Sequence, residues 1–139
     1  MKADAATIQR LCQFGHYIGM TFQIIDDVLD LTANAGRLGK PVGHDIREGD
    51  VTLPMLRALQ QCSPQDSREL RAIIENPDID ENDVQRALQL IRNSDAIEYS
   101  HAAAQDYADK AKQQLAEFQP SESRSLLEKI TDYIVARDY

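Results

Sequence analysis

Apolar residues recur every three or four positions from residue 8 to residue 29, and this spacing limits what the chain can fold into. The repeat matches one face of an α-helix and not the alternation of a β-strand. It predicts a first helix from about Ala5 to Leu31, carried by Ile8, Leu11, Phe14, Ile18, Phe22, Ile25 and Leu29. The second half of this helix is apolar on nearly every side, which is typical of a helix at the centre of a bundle.

The remaining sequence predicts five more helices, because start signals precede further stretches with helical spacing. The start signals are Thr52, Ser63, Asp80, Ser94 and Ser121. The first four of these helices are expected to end near residues 61, 75, 92 and 118. No segment shows a convincing period of two, so the expected fold class is all-α, a helical bundle with short loops apart from residues 32–51.

The length and charge of the chain exclude several classes of protein. With 139 residues, the chain is long enough for one domain with a hydrophobic core and too short to suggest two. We therefore expect residues 1–139 to form a single domain. The sequence has 23 acidic and 15 basic residues and a net charge of -8. Because no local basic patch offsets this charge, the protein is not expected to bind nucleic acid.

The N-terminal sequence and the cysteines predict where such a protein works. Residues 1–16 contain no apolar block of a signal peptide, and the longest apolar region, residues 17–31, is interrupted by polar side chains. No membrane span is therefore expected. Cys12 and Cys62 show neither a disulfide pattern nor metal-ligand spacing, which fits a reducing compartment. We expect a soluble protein of the cytoplasm.

Three aspartates stand inside the apolar stretch FQIIDDVLDL, residues 22–31. On a helix, these aspartates and the preceding glutamine share one polar stripe roughly 100° wide. The four residues are Gln23, Asp26, Asp27 and Asp30. Two carboxylates about 6 Å apart repel by about 3 kcal/mol at an effective dielectric constant near 20, so three charged together need a counter-charge. Oxygen ligands on a helix suit Mg²⁺, which takes further ligands from water and substrate phosphates. The stripe therefore predicts a site for Mg²⁺ and a diphosphate.

Two simpler interpretations of the aspartates stay open at the level of the residues. Basic side chains of a neighbouring helix could neutralise them, and a DDxxD string is often only the solvent-facing side of a helix. A solvent-facing side would continue toward the N-terminus with polar residues, whereas Gly15, Gly19 and Phe22 occupy the same stripe. The abrupt start of polarity at Gln23 favours a binding site. The two glycines also predict that another backbone packs closely there.

The segment after the aspartates is the second candidate for function. Residues 32–52, TANAGRLGKPVGHDIREGDVT, contain four glycines and a proline. This composition predicts a loop, and a loop of this length is uncommon unless it has a function.

Residues 19–56, GMTFQIIDDVLDLTANAGRLGKPVGHDIREGDVTLPML, resemble the second aspartate-rich region of the trans-isoprenyl (polyprenyl) diphosphate synthases. The resemblance includes the FQIIDD lead, the LGKP turn, the GHDIREG loop and the TLP start of the next helix. It implies the C-terminal part of that family's all-α fold. It also implies a prenyltransferase of isoprenoid biosynthesis that uses Mg²⁺ to condense an allylic diphosphate with isopentenyl diphosphate.

The resemblance implies a role for each matching position. Asp26 would ligate Mg²⁺ directly, and Asp27 and Asp30 would do so directly or through metal-bound water. Lys40, in LGKP, would contact the allylic diphosphate as the leaving group gains charge. Asp45 would support the hydrated metal cluster from the GHDIREG loop.

The resemblance also bears on substrate contacts at two further positions and on the oligomeric state. Gln23 would lie beside the diphosphate or the reacting carbons. Many members carry a lysine where this chain has Asp50, so that diphosphate contact is not expected, and the variation suggests a longer product. Members of the family usually form homodimers, so the resemblance implies a homo-oligomer.

Several parts of the family's pattern have no counterpart in residues 1–139. They are the first aspartate-rich motif, the arginines after it and the lysine-threonine pair that precedes the aspartate helix. The resemblance therefore implies the C-terminal half of a prenyl diphosphate synthase, carrying half of the metal site and inactive alone. An alternative is a non-catalytic or regulatory partner subunit of a heteromeric prenyl synthase. A third hypothesis is an unrelated helical bundle with a chance motif.

Overall fold

The computed structural model describes residues 3–32 and 42–137. Seven α-helices and no β-strand lie among these residues, which confirms the all-α prediction. The helices are α1 (Ala5–Thr32), α2 (His44–Glu48), α3 (Leu53–Gln61), α4 (Pro64–Ile74), α5 (Glu81–Arg92), α6 (Ala96–Ala116) and α7 (Glu122–Val135). In the part of the chain that is described, no helix is long and apolar enough to cross a membrane.

Three helices begin where local cap signals predict. Ser63, Asp80 and Ser121 each accept a hydrogen bond from the backbone N–H three residues further on, at 3.1, 2.9 and 3.2 Å. Each bond satisfies one of the donors that a helix leaves unpaired at its first turn. Thr52 precedes α3 as predicted, but its side chain forms no cap bond, and its Oγ1 is buried without a hydrogen-bond partner.

The chain divides into two compact units. Among the described residues, the first unit comprises residues 3–25 and 102–137, and the second comprises residues 26–32 and 42–101. Both long helices, α1 and α6, contribute residues to both units. The expectation of a single domain over the whole chain stays a prediction.

The second unit has its own apolar core, drawn from the end of α1 and from α2 to α6. Its buried members are Leu31, Ile46, Met55, Ala58, Leu70, Ile73, Val84, Ala87, Leu88, Leu90, Ile91 and Ala96. Each fully buried Leu or Ile contributes about 1.5–3 kcal/mol relative to an exposed one. This core holds the last turn of α1 and the short helix α2 in one cluster, because Leu31 and Ile46 both belong to it.

The first unit packs α1 on α6 and α7 through a smaller cluster. Phe14, Ala111 and Leu115 are buried there, with Leu127 packed against them. On other parts of α1 the apolar periodicity does not lead to burial, since Ile8, Leu11 and Phe22 are exposed. A side chain at Gly15 or Gly19 would meet no atom within 4 Å. Within the described residues, therefore, no other backbone packs closely on these glycines.

The loop predicted over residues 32–51 is wrong for part of its length, because α2 lies inside it. A glycine in the left-handed region flanks this helix at each end, Gly43 at φ 79° and Gly49 at φ 75°. Glycine adopts this conformation without the steric cost that a Cβ imposes. The glycines that suggested a loop thus mark the two ends of a short helix.

Candidate functional site

The aspartates of α1 lie on one continuous helix at the predicted spacing. Asp26 is exposed, Asp27 is 9% exposed and Asp30 is half-buried. Apolar neighbours on the same turns are buried, namely Ile24, Ile25, Val28 and Leu29. Gln23 is exposed one turn before Asp26. The apolar side of the helix therefore holds the carboxylates in place while Asp26 stays open to solvent.

Asp30 is bonded to the backbone at the start of α2. Its Oδ1 accepts a hydrogen bond from the N–H of His44 at 3.0 Å, and its Oδ2 accepts one from the N–H of Asp45 at 3.1 Å. Its backbone carbonyl also accepts from the N–H of Gly43 at 2.8 Å. The carboxylate thus pairs two N–H groups of the first turn of α2, and charged acceptors make the stronger hydrogen bonds of this kind.

A second contact holds α2 from the side of α5. The guanidinium of Arg47 donates to the carbonyl of Val42 at 2.6 Å and to both carboxylate oxygens of Glu81 at 2.8 and 3.1 Å. Glu81 is the first residue of α5. Sequence reasoning missed Arg47, because its partner is 34 residues away and no short-range pattern indicates the pair.

The turn before α2 is closely packed. Gly43 is buried at φ 79°, and a Cβ built there would lie 3.0 Å from Cγ1 of Val84. Any side chain at this position would need Val84 to move, in addition to the strain of the left-handed backbone. The entry to α2 is therefore restricted to glycine.

Asp45 lies electrostatically close to the aspartates of α1. The pKa of its carboxyl is raised to about 6, first because burial disfavours the charged form and then because the carboxylates of Asp30 and Asp27 repel it. The structure thus brings the predicted residue of the loop together with two of the α1 aspartates. Negative charge accumulates here, and a bound cation would relieve it.

The donor chemistry at this end of α1 suits a hard divalent cation, since Asp26, Asp27, Asp30 and Asp45 offer only carboxylate oxygens. Among residues 3–32 and 42–137, however, no three Asp, Glu, His or Cys side chains are arranged to hold a metal ion by themselves. Mg²⁺ is usually bound by one or two carboxylates, with water and substrate phosphates completing its shell. The carboxylates present fit that partial role.

Two basic residues remain to be placed, Lys40, which the sequence predicted for the site, and Arg92, which it did not. Lys40 lies outside the described residues, so its contact with a diphosphate stays a prediction.

Arg92 of α5 was not predicted, and both its Nε and its Nη2 donate to the carbonyl of Leu31 in the last turn of α1. A cation at the C-terminal end of a helix stabilises the carbonyls left unpaired there. Arg92 therefore fixes the end of the aspartate helix.

Together these features define an all-α protein with an acidic, oxygen-only candidate site at the end of a long helix. The chain belongs to the polyprenyl synthetase family, whose sequence profile matches residues 1–91. This result confirms the resemblance seen in the sequence.

The chain is similar to proteins named as prenyl or isoprenyl diphosphate synthases. Heptaprenyl diphosphate synthase component 2 of Geobacillus stearothermophilus is 43% identical over 138 residues, which are 99% of this chain and 42% of the relative. A short chain isoprenyl diphosphate synthase of Methanothermobacter thermautotrophicus is 38% identical over 132 residues, which are 95% of this chain and 40% of the relative. The chain thus spans about two fifths of the length of these relatives.

Solved structures show the same fold. Heptaprenyl diphosphate synthase from Staphylococcus aureus matches with a TM-score of 0.89 and 36% identity, over 99% of this chain and 42% of that chain. Polyprenyl synthase from Caulobacter crescentus CB15, complexed with calcium and isoprenyl diphosphate, matches with a TM-score of 0.88 and 38% identity, over 97% of this chain and 41% of that chain. The helices seen here therefore correspond to part of an isoprenyl synthase.

Proposed function

We propose that this chain is the C-terminal half of a prenyl diphosphate synthase and carries one half of its Mg²⁺ and diphosphate site. The complete enzyme would condense an allylic diphosphate with isopentenyl diphosphate in the cytoplasm. The observation that carries the proposal is the grouping of Asp45 with Asp27 and Asp30, on the helix that also carries the exposed Asp26, in a chain similar to a polyprenyl synthase complexed with calcium and isoprenyl diphosphate.

Each residue has a proposed task in that reaction. Asp26, the exposed carboxylate, ligates the cation directly, Asp27 acts directly or through water, and Asp30 contributes to the site from the same stripe of α1. Asp45 supports the hydrated cluster, and Lys40 neutralises the departing diphosphate. Gln23 lies beside the reacting group. Bound Mg²⁺ supplies Lewis-acid stabilisation of the charge that develops on the leaving group.

The length of the chain supports a half-site. It spans about two fifths of its relatives, and α1 exposes Ile8, Leu11 and Phe22. Such apolar surface on a helix commonly marks a face that another part of a protein covers. We propose that the remaining part of the synthase fold covers it and brings the other half of the site, so that the chain alone does not turn over.

A second candidate function is that of a partner subunit in a heteromeric prenyl synthase. The name of the Geobacillus relative, component 2, favours assembly with a different polypeptide. A homo-oligomer is the other proposed assembly. Size measurement of the purified chain, with and without a co-expressed partner, distinguishes the two.

The first test measures release of diphosphate from an allylic diphosphate and isopentenyl diphosphate with Mg²⁺. The chain alone should release none, whereas release that Asp26→Ala abolishes would show a complete site and contradict the half-site proposal. The second test measures the melting temperature with Mg²⁺ and inorganic diphosphate. A ligand at about 100 times its Kd stabilises a fold by about 2.7 kcal/mol. Asp26→Ala should remove this effect, and Asp78→Ala, at an exposed position in the second unit, is the matched control.

A further inference from the structure

The carboxylate of Asp30 is engaged in holding α2. Both of its oxygens accept backbone N–H groups, those of His44 and Asp45, at 3.0 and 3.1 Å. The helix α2 has five residues, and helices shorter than about 12 residues are not stable by themselves. Its position must therefore come from tertiary contacts, and Asp30 supplies three of them when its carbonyl bond to Gly43 is included.

The other contacts of α2 leave it little freedom. Ile46 is 1% exposed in the core of the second unit. Arg47 joins the carbonyl of Val42 to the carboxylate of Glu81, so the segment is also held on the side of α5. Asp45 lies between the Asp30 contact and the Arg47 contact, in the first turn of α2. The contacts therefore fix the backbone of Asp45, so its carboxylate can occupy only the positions that its own side-chain rotamers allow.

We propose that Asp30 is a positioning residue, which acts on the proposed site by holding Asp45 and is not itself a ligand of the cation. The inference rests on the proposed function. Each oxygen keeps a lone pair beside its N–H bond, but a cation bound there would draw electron density from the oxygen and repel the positive N–H hydrogen, which weakens the bonds to His44 and Asp45. Asp26, exposed one turn earlier on α1, has the access to solvent that a direct ligand needs.

The first experiment measures hydrogen exchange of the His44 and Asp45 amides by NMR, without metal. Hydrogen-bonded amides exchange only when the local structure opens. Asp30→Asn places an NH₂ donor against one of the two N–H groups and leaves a neutral acceptor for the other, so at least one of the two amides should lose protection by about tenfold. Asp26→Asn is the matched control, with the same substitution one turn earlier on α1, and should keep the protection of the wild type. Unchanged protection in Asp30→Asn would overturn the inference.

The second experiment is a double-mutant cycle on the affinity for Mg²⁺ with inorganic diphosphate, measured by NMR titration. Asp30→Asn and Asp45→Asn should each weaken binding, by about tenfold for a lost charged contact. The double variant should be no weaker than the weaker single variant, because Asp30 acts through Asp45. If the two losses of affinity multiply in the double variant, Asp30 acts independently of Asp45. If Asp45→Asn binds with the affinity of the wild type, Asp45 does not contribute to the site and Asp30 cannot act through it. Either result overturns the inference.

A third variant keeps the test decisive if Asp30→Asn does not fold. Glu81→Gln weakens the Arg47 contact from α5 and should also weaken binding, by about threefold, through the position of α2. Full affinity in this variant would count against positioning. If the wild type does not bind Mg²⁺ with diphosphate, the proposed function is wrong, and so is the inference that Asp30 serves that site. The exchange experiment then decides separately whether Asp30 holds α2.

Discussion

Replacing Asp45 by asparagine should stabilise the metal-free protein at neutral pH. The pKa of Asp45 is raised from 3.8 to about 6 by burial and by the carboxylates of Asp30 and Asp27. A carboxyl with a raised pKa contributes most to stability below the unfolded value, and this contribution is lost as the pH rises through the folded value. The loss therefore falls between about pH 4 and pH 6. Asparagine has nearly the same shape and carries no charge, so it avoids the loss.

The magnitude follows from the two pKa values. The difference between 3.8 and about 6 sets a ceiling of about 3 kcal/mol, at about 1.4 kcal/mol for each pH unit. Because Asp45 is half-buried, solvent screens the repulsion, and about 1 kcal/mol is the expected gain in the free energy of unfolding. The gain should be small near pH 4.5 and complete above pH 6.5.

Urea denaturation of the wild type and Asp45→Asn, in a chelating buffer from pH 4.5 to 7.5, measures this gain. The chelator is needed because a bound cation would stabilise the charged carboxylate. Asp78→Asn, at an exposed position, is the control and should follow the wild type. A difference between the wild type and Asp45→Asn that does not change with pH, or a variant less stable than the wild type at pH 7.5, would refute the electrostatic reasoning.

Four further substitutions test the fold. Gly43→Ala should destabilise by about 1–3 kcal/mol, because of the left-handed backbone and the 3.0 Å approach to Val84, whereas Gly15→Ala, in an open position inside α1, should stabilise by about 0.5–1 kcal/mol. Urea denaturation of both variants gives the comparison, and equal effects would contradict it. Thr52→Val removes a buried hydroxyl without a hydrogen-bond partner, so its melting temperature should equal or exceed that of the wild type. A free energy of unfolding lower by more than about 1 kcal/mol would show that the hydroxyl is hydrogen-bonded in solution. Ser121→Ala removes a cap bond at the start of α7 and should lower the free energy of unfolding by about 1 kcal/mol, measured by thermal denaturation. Ser123→Ala, at an exposed position in the first turn of the same helix, is the control.

The sequence by itself determined the features that depend on near neighbours in the chain. Ser63, Asp80 and Ser121 cap helices because their side chains reach an N–H three residues away. The aspartates of α1 share a stripe because the helical repeat spaces them so. The family followed from motifs within one contiguous stretch of the sequence.

The tertiary structure decided the contacts between distant parts of the chain. Asp30 belongs to the predicted stripe, yet its carboxylate caps α2, 14 and 15 residues further on. Arg92 reaches Leu31 across 61 residues, and no local pattern predicts such a bond. Spacing along a helix shows which side a residue lies on, but not what packs against that side. What packs there depends on where the other helices lie. Periodicity alone predicts that Phe22 is buried, yet in the described structure its side chain is exposed.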